Sequence, residues 1–325
     1  MGEVAALIAA LTWSATSVAL TSLAARTSPV VLSGLRLGIA SLIMPFVLWA
    51  SGQAGDLGEA SWWTLFSMAG SGLVGYGLGD TLYIRSLALI GMQRTFPITM
   101  ALFIALTVAG GVVLLGEPFT WGLPAGALLI GAGVYLIVIP GKPQAAHVPI
   151  ISAAEPALAT FADLPASETG PIATKVEAQA SRSRTLEAYI LILLVGIFWA
   201  TATLWLAGAK GDIGAIAAGT LRTPAGAVGL LAFAMATQPR NLRAPFLDRR
   251  HIGAIAAAGI VGTGFGSLLY IYAVVEAGAA RTAVLSATAP LLALPLSIMF
   301  LGESLTRRIG VATILCVLGI ILVVL

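Results

Sequence analysis

Charged residues are scarce in this sequence. Only 10% of its 325 residues are Asp, Glu, Lys or Arg, while 58% are apolar. A soluble domain carries about 25% charged residues, so this chain lacks the polar surface that a water-soluble fold needs. The composition therefore predicts a protein that lies in a membrane.

Cysteine and histidine are scarce too, and this excludes several kinds of site. Cys316 is the only cysteine, so an internal disulfide and a site of paired thiolates are excluded, and we interpret this residue as a packing residue. His147 has no ligand-type neighbours, and the sequence contains no HExxH or GxSxG motif. We therefore expect no enzyme activity, no metal and no cofactor.

The net charge is only +3, and no cluster of basic residues contains interleaved aromatic residues. A basic protein of this kind is expected to place its charged loops beside anionic lipid rather than nucleic acid. The expected partners are membrane lipid and a small-molecule substrate, with no nucleic acid; assembly into a homo-oligomer stays open.

Long apolar runs fill most of the sequence. A membrane-spanning helix needs about 20 mostly apolar residues, and solidly apolar runs favour helices over a β-barrel, whose strands alternate. We predict an all-α polytopic membrane protein with ten transmembrane helices, near residues 4–24, 29–50, 63–89, 94–115, 120–139, 186–208, 213–236, 252–275, 279–301 and 308–325.

The segment 141–185 differs from the runs on either side. It is rich in Ala, Pro, Ser and Thr, and its acidic and basic residues balance, so it buries too little apolar surface to fold alone. We predict a flexible linker loop at 141–185, between a first five-helix repeat at 1–140 and a second at 186–325.

The two halves repeat each other. "GYGLGDTLYIRSLALIGMQRT" begins at Gly75 and "GTGFGSLLYIYAVVEAGAART" begins at Gly262, an offset of 187, with nine of 21 positions identical. Elsewhere the matching residues keep an offset of 186: Trp13 and Trp199, Arg36 and Arg222, Gly116-Glu117 and Gly302-Glu303, Gly133 and Gly319. Because each half has an odd number of spans, the second half enters the membrane from the opposite side. This predicts two inverted repeats that share a site at mid-membrane.

Loop charge predicts the orientation. With the N-terminus outside, twelve basic residues lie in inner loops, and only Lys210 and Arg281 lie in outer ones. The positive-inside rule then favours both termini outside, in the plasma (inner) membrane.

The sequence resembles the EamA-type permeases of the drug/metabolite transporter (DMT) superfamily. Each half has Trp early in its first span, Arg inside its second, Tyr near the end of its third (Tyr83, Tyr270), and a proline-containing fourth span that closes on Gly-Glu. The resemblance implies a ten-helix carrier of amino acids, nucleobases, sugar derivatives or other metabolites, often outward. Two features depart from it: the linker is long, and the basic loop follows the second span of the second half.

Arg36 and Arg222 are predicted about 12–15 Å deep in their spans, at 1.5 Å per residue. Charged residues at that depth normally face a cavity or a partner. They bind an anionic group of the substrate or position a carboxylate, unless they snorkel or cap helix ends in a fixed bundle. Asp80 is the carboxylate well inside a span, and its counterpart is Ser267. It is a coupling-ion site or the counter-ion to Arg36, or else a fixed structural pair.

The sequence also contains candidates for the cavity wall, for gates, for hinges and for helix packing. We expect aromatic side chains to line the substrate cavity: Trp13, Trp199, Tyr83, Tyr270 and Tyr272. Inversion places Arg94 with Glu303 and Arg281 with Glu117, which suggests gate pairs, although Glu117 before Pro118 also fits ordinary capping. Pro97, Pro290 and Pro295 interrupt the fourth and ninth spans and could be hinges or static kinks. The glycines Gly75, Gly79, Gly262 and Gly266 have the spacing of helix-packing faces.

The sequence as a whole favours a secondary transporter, a permease or exporter of small polar metabolites such as amino acids, working by alternating access. The alternative is a membrane scaffold or receptor without transport, and an intramembrane enzyme is disfavoured by the missing motifs.

Overall fold

The computed structural model describes residues 1–138, 171–211, 213–289, 292 and 307–324, and their regular structure is helical, with no strand. The first half contains α1 (Gly2–Ala24), α2 (Pro29–Ser51), α3 (Ala54–Glu59), α4 (Trp62–Gly72), α5 (Asp80–Ile90), α6 (Met92–Leu115) and α7 (Gly122–Val138). The second half contains α8 (Pro171–Ala209), α9 (Ala215–Thr237), α10 (Pro239–Arg243), α11 (Arg249–Ala258), α12 (Ser267–Ala277), α13 (Ala279–Ser286) and α14 (Arg307–Val324).

Several helices are apolar enough to cross a bilayer. Five segments reach the necessary length and hydropathy: Pro29–Ser51, Ile98–Leu115, Arg184–Ala209, Ala215–Thr237 and Arg249–Ala277. Part of the predicted ninth span, 279–301, lies outside the described residues, so the count of ten spans stays a prediction.

The last part of the predicted linker is helical. Helix α8 begins at Pro171, inside the segment 141–185 for which we expected a flexible loop. The residues after Pro171, "IATKVEAQASRSRTLEA", include many Ala, Glu, Lys, Arg and Gln, which are good helix formers. The composition excludes an independent core, but it does not prevent a helix that continues into an apolar span. The rest of the predicted linker, 141–170 with His147, lies outside the described residues.

The third predicted span of each half is interrupted by a π-helical segment. Leu73–Gly79 lies between α4 and α5, and Gly259–Gly266 lies between α11 and α12. Both segments are rich in glycine because the other half approaches them closely. A Cβ at Gly72, the last residue of α4 before the first segment, would overlap the carbonyl oxygen of Arg222. One at Gly259, the first residue of the second segment, would lie 2.7 Å from the carbonyl oxygen of Arg36. The glycines therefore let each third span lie directly against the second span of the opposite half.

The tight turns after these spans also match between halves. Gly91 and Gly278 have positive φ angles of 76° and 85°, a conformation that glycine adopts without steric cost. Each turn leads into the next helix, α6 or α13.

Equivalent helices of the two halves lie antiparallel. At one end of the α2–α9 pair, Ser28 Oγ donates to Gln238 Oε1 (2.5 Å); at the other end, the backbone N–H of Ile216 donates to Gln53 Oε1 (3.2 Å). The start of each helix therefore meets the end of the other. Helices α7 and α14 are antiparallel too, because Gly122 packs against Leu322.

Other contacts between the halves also occur in equivalent pairs. Helix α1 packs on α12 and α13, and its counterpart α8 packs on α5 and α6. When each half uses the same surface to contact the other, the arrangement is isologous, as in a twofold dimer. The core of the molecule therefore lies along the seam between the halves.

Candidate functional site

A cavity of about 90 Å³ lies on this seam. Its lining comes from both halves: from α1, α2, α5 and α6 on one side and from α8, α9 and α12 on the other. Most of the lining is apolar and aromatic, and its charged side chains are Arg36, Asp80 and Arg222. The predicted residues Trp13, Trp199, Tyr83 and Tyr270 all line this cavity.

The first charged group in the cavity is an ion pair. Arg36 Nη2 donates to Asp80 Oδ2 (2.6 Å), and the indole N–H of Trp199 donates to Asp80 Oδ1 (3.0 Å). Asp80 is the first residue of α5, directly after the π-helical segment, which places its carboxylate opposite the middle of α2. The Arg36 side chain is only 6% exposed and that of Asp80 is 18% exposed. A carboxylate of the third span thus neutralises the arginine of the second.

Arg222 has a different environment. Its Nη1 donates to Ser71 Oγ (2.8 Å) and to the carbonyl oxygen of Ala202 (3.2 Å), and its guanidinium carbon lies 5.0 Å from the ring centroid of Tyr76. These partners are neutral, and the residue is only 2% exposed. Arg36 and Arg222 are equivalent in the repeat, but only Arg36 has a carboxylate partner in the part of the chain that the structure describes.

The aromatic residues form two equivalent Trp–Tyr pairs across the seam. Trp13 of α1 packs against Tyr270 of α12 with ring centroids 5.0 Å apart, and Trp199 of α8 packs against Tyr83 of α5 at 5.1 Å, with the rings tilted by 40° and 47°. The hydroxyl of Tyr270 also shares a hydrogen bond of 2.9 Å with Thr203. In each pair the tryptophan comes from the first long helix of one half and the tyrosine from the third span of the other.

The expectation that Tyr272 lines the cavity was wrong. Tyr272 is 38% exposed, while Tyr270 is 4% exposed. Two residues along an α-helix correspond to about 200° of rotation, so these two side chains point to opposite sides of α12.

Sequence reasoning missed several cavity residues, among them three of α6 and one of the first π-helical segment. Phe96, Met100 and Phe103 line the cavity from α6, and Tyr76 lines it from the π-helical segment. The spacing of the α6 residues, i, i+4 and i+7, places them on one helix face and could have indicated a cavity wall. Tyr76 is hidden in the glycine-rich repeat, where its counterpart is Thr263.

The predicted gate residues have other partners in this structure. Glu117 accepts hydrogen bonds from the backbone N–H groups of Ala279 (2.7 Å) and Ala280 (3.0 Å), at the start of α13. Arg281 Nη1 instead lies 3.4 Å from Glu3 Oε1. The expected pair between Arg281 and Glu117 therefore does not form in this structure, because both carboxylate oxygens of Glu117 bind the N–H groups at the start of α13.

The other predicted gate and hinge residues lie wholly or partly outside the described part of the chain. Glu303, Pro290 and Pro295 lie outside the described residues, and so do the side chains of Arg94 and Pro97. The backbone of Arg94 and Pro97 is part of α6. Within the described helices α2 and α9, internal prolines occur at Pro45 and Pro224.

Comparison with known proteins adds to this geometry. A model of the EamA-like transporter family matches residues 1–139 and 186–325. No curated protein matches the chain. Among solved structures, 26 chains match; one, described only as "Crystal structure of protein", has a TM-score of 0.70 and 17% identity, over 99% of this chain and 95% of its own. That likeness concerns the fold alone.

Proposed function

Because this chain belongs to the EamA-like transporter family, we propose that it is a secondary transporter that moves small polar metabolites, such as amino acids or related compounds, across the membrane by alternating access. Members of this family are transporters rather than enzymes, and the helices of this chain are apolar enough for an integral membrane protein. The proposed carrier needs no cofactor. Its partners are the substrate and membrane lipid.

The observation that carries the proposal is the cavity on the seam between two antiparallel halves. Buried charges there are costly in hydrocarbon and normally mark a substrate or ion pathway. Relative rocking of two such halves about a shared site exposes that site to each side of the membrane in turn. Two contacts between the ends of helices agree with the ten crossings of the proposal. Glu3 meets Arg281, and Ser28 meets Gln238, and alternating crossings place each of these pairs on one face of the membrane.

The orientation in this proposal has both termini outside the plasma membrane. It follows from the basic residues of the segment 238–251, which includes Arg240, Arg243, Arg249 and Arg250, all exposed. A cluster of this kind beside the membrane is favoured on the cytoplasmic side. Asp80 is the proposed coupling-ion site, since its carboxylate lies in the cavity and could exchange its partner Arg36 for a proton or cation.

The test is transport by the purified protein. Proteoliposomes are loaded with a mixed metabolite pool, and wild-type protein is compared with Arg36→Ala and Asp80→Asn and with empty vesicles. We expect at least one compound to leave wild-type vesicles faster than empty ones and the variants to slow it. If no compound moves faster than in empty vesicles, the carrier proposal fails.

A further inference from the structure

The charges of the cavity do not balance. Its lining contains two arginines and one carboxylate, and the carboxylate of Asp80 is already within 2.6 Å of Arg36. Arg222 faces the same cavity with neutral partners only. In the described part of the chain, one positive charge is therefore left in the cavity without a counter-charge.

The uncompensated charge is deeply buried. Removing a lone cation from water is costly unless an anion or several hydrogen bonds replace its hydration. The Nε of Arg222 is buried and has no hydrogen-bond partner among the described residues. The same is true of Arg36 Nε, so the two arginines differ in the carboxylate that neutralises Arg36. The ring of Tyr76 lies over a face of the guanidinium, and Nη1 already donates to Ser71 and Ala202, so Nε and Nη2 are the donors left for a ligand. A planar guanidinium binds a carboxylate with two parallel hydrogen bonds.

The rest of the lining indicates the body of that ligand. The cavity that Arg222 lines also has the rings of Trp13, Trp199, Tyr83 and Tyr270 in its walls. Aromatic rings of this kind favour an apolar or aromatic group. Among the described residues a ligand ammonium would find no free carboxylate in the cavity, since both oxygens of Asp80 have partners.

We propose that Arg222 is the anion subsite of this cavity and that the preferred ligand is an organic monoanion, a carboxylate attached to an apolar or aromatic body. This rests on the proposed function, because the ligand is taken to be the transported substrate, and it narrows that function from amino acids to related carboxylates that lack the ammonium group. Arg36, which is equivalent in the repeat, is held by Asp80 and does not bind the ligand carboxylate.

The repeat offers a variant that tests this without removing Arg222. Ser267 is the first residue of α12 after its π-helical segment, as Asp80 is the first residue of α5, and both line the cavity. A carboxylate at position 267 is expected to neutralise Arg222 as Asp80 neutralises Arg36. Ser267→Asp should therefore abolish anion binding, while Ser267→Asn adds nearly the same volume without the charge.

The experiment measures binding to purified protein in nanodiscs by titration calorimetry. The probes are phenylacetate, benzoate and hexanoate, each compared with its neutral amide and, for phenylacetate, with zwitterionic phenylglycine. We expect the carboxylates to bind wild type about 10- to 100-fold more tightly than their amides, the range for a hydrogen bond to a charged group. Ser267→Asp and Arg222→Gln should lose that preference, and Ser267→Asn should keep it.

Three results would overturn the proposal. Wild-type protein could bind no carboxylate more tightly than its amide, it could prefer phenylglycine to phenylacetate, or Ser267→Asp could retain the preference in a folded protein. The first two need no variant, so a variant that fails to fold leaves the proposal open to refutation. If carboxylates bind through Arg222 but no compound crosses proteoliposomes, the carrier proposal fails and the anion subsite stands. If neutral or zwitterionic compounds are carried and carboxylates do not bind, the reverse holds.

Discussion

Arg36 and Asp80 illustrate how a buried charge is tolerated at the centre of this molecule. Two charges removed from water gain from each other only when their geometry is good, and here the atoms Nη2 and Oδ2 are 2.6 Å apart with Trp199 as a further donor to the carboxylate. The pair therefore depends on both members, and loss of either one leaves an isolated charge inside the protein.

A double-mutant cycle tests this dependence. We expect Asp80→Asn and Arg36→Gln each to lower the free energy of unfolding by about 3–5 kcal/mol, the usual cost of breaking a buried pair. The double variant should be more stable than the sum of the single losses predicts, because no lone charge remains. The measurement is denaturant unfolding in detergent micelles, followed by circular dichroism.

The matched control is the ion pair between Arg85 and Glu187, whose side chains are 57% and 39% exposed. An exposed pair contributes about 0–1 kcal/mol, so Arg85→Gln and Glu187→Gln should change stability little. Purely additive losses at Arg36 and Asp80 would contradict the account of the buried pair.

At this scale the sequence predicted that Arg36, Asp80 and Arg222 need a cavity or a partner, but it did not predict the direction in which each side chain points. An arginine or aspartate inside an apolar run must find a cavity or partner, and Arg36, Asp80 and Arg222 all lie at the cavity. Whether a side chain faces the cavity depends on its angle around the helix and on the neighbouring helices. That explains the error at Tyr272, the omission of Tyr76, and why the different partners of the two arginines emerged only from the fold.

Among the elements, the glycine-rich stretches 72–79 and 259–266, which contain the π-helical segments, determine how closely the halves approach. The backbone of Arg222 lies where a side chain at Gly72 would be, and the backbone of Arg36 lies close to Gly259. A methyl group at Gly72 would push against α9, which carries Arg222, and one at Gly259 would push against α2, which carries Arg36. The glycine spacing predicted a packing face, but the π-helical turns themselves left no pattern in the sequence.

Alanine substitution tests this close approach. We expect Gly72→Ala and Gly259→Ala to destabilise the protein by about 1–3 kcal/mol, as overpacking does. The control is Gly253→Ala in α11, where nothing lies within 4 Å of the new methyl group. Because alanine favours a helix over glycine by about 0.5–1 kcal/mol, that control should be neutral or stabilising. Equal effects at Gly72 and Gly253, measured by thermal unfolding, would contradict the packing described here.

Helix α13 depends on a residue from the other half. Both oxygens of Glu117 accept hydrogen bonds from the first N–H groups of α13, which stabilises a helix start by capping and by charge. Glu117→Gln keeps only one acceptor oxygen. We expect it to cost about 1 kcal/mol and to speed hydrogen exchange at the amides of residues 279–286. Unchanged exchange there would show that the carboxylate is not a cap in solution.

On the scale of the whole molecule, the repeat was visible in the sequence and its packing was not. The constant offset between Trp13 and Trp199, or Arg36 and Arg222, predicted two similar halves, and their odd number of spans predicted inversion. The contacts of α2 with α9 and of α7 with α14 depend on side-chain shape across the seam, which periodicity does not encode. The sequence analysis also predicted a loop where residues 171–185 are part of α8, because composition alone does not reveal a polar helix that continues into an apolar span.

The central claim is that the two halves lie in opposite orientations around one cavity, and side-specific labelling of single cysteines tests it most directly. Gly55 and Asn241 occupy equivalent exposed positions after the second span of each half, 186 residues apart. In a Cys316→Ala background, Gly55→Cys and Asn241→Cys are treated in intact cells with a thiol reagent that does not cross the membrane, and again after lysis.

The account predicts that the cysteine at 55 reacts in intact cells and that the one at 241 reacts only after lysis. The reverse assignment would change the orientation but keep the inversion. Reaction of both cysteines from the same side would contradict the inverted arrangement, and with it the shared cavity between the halves.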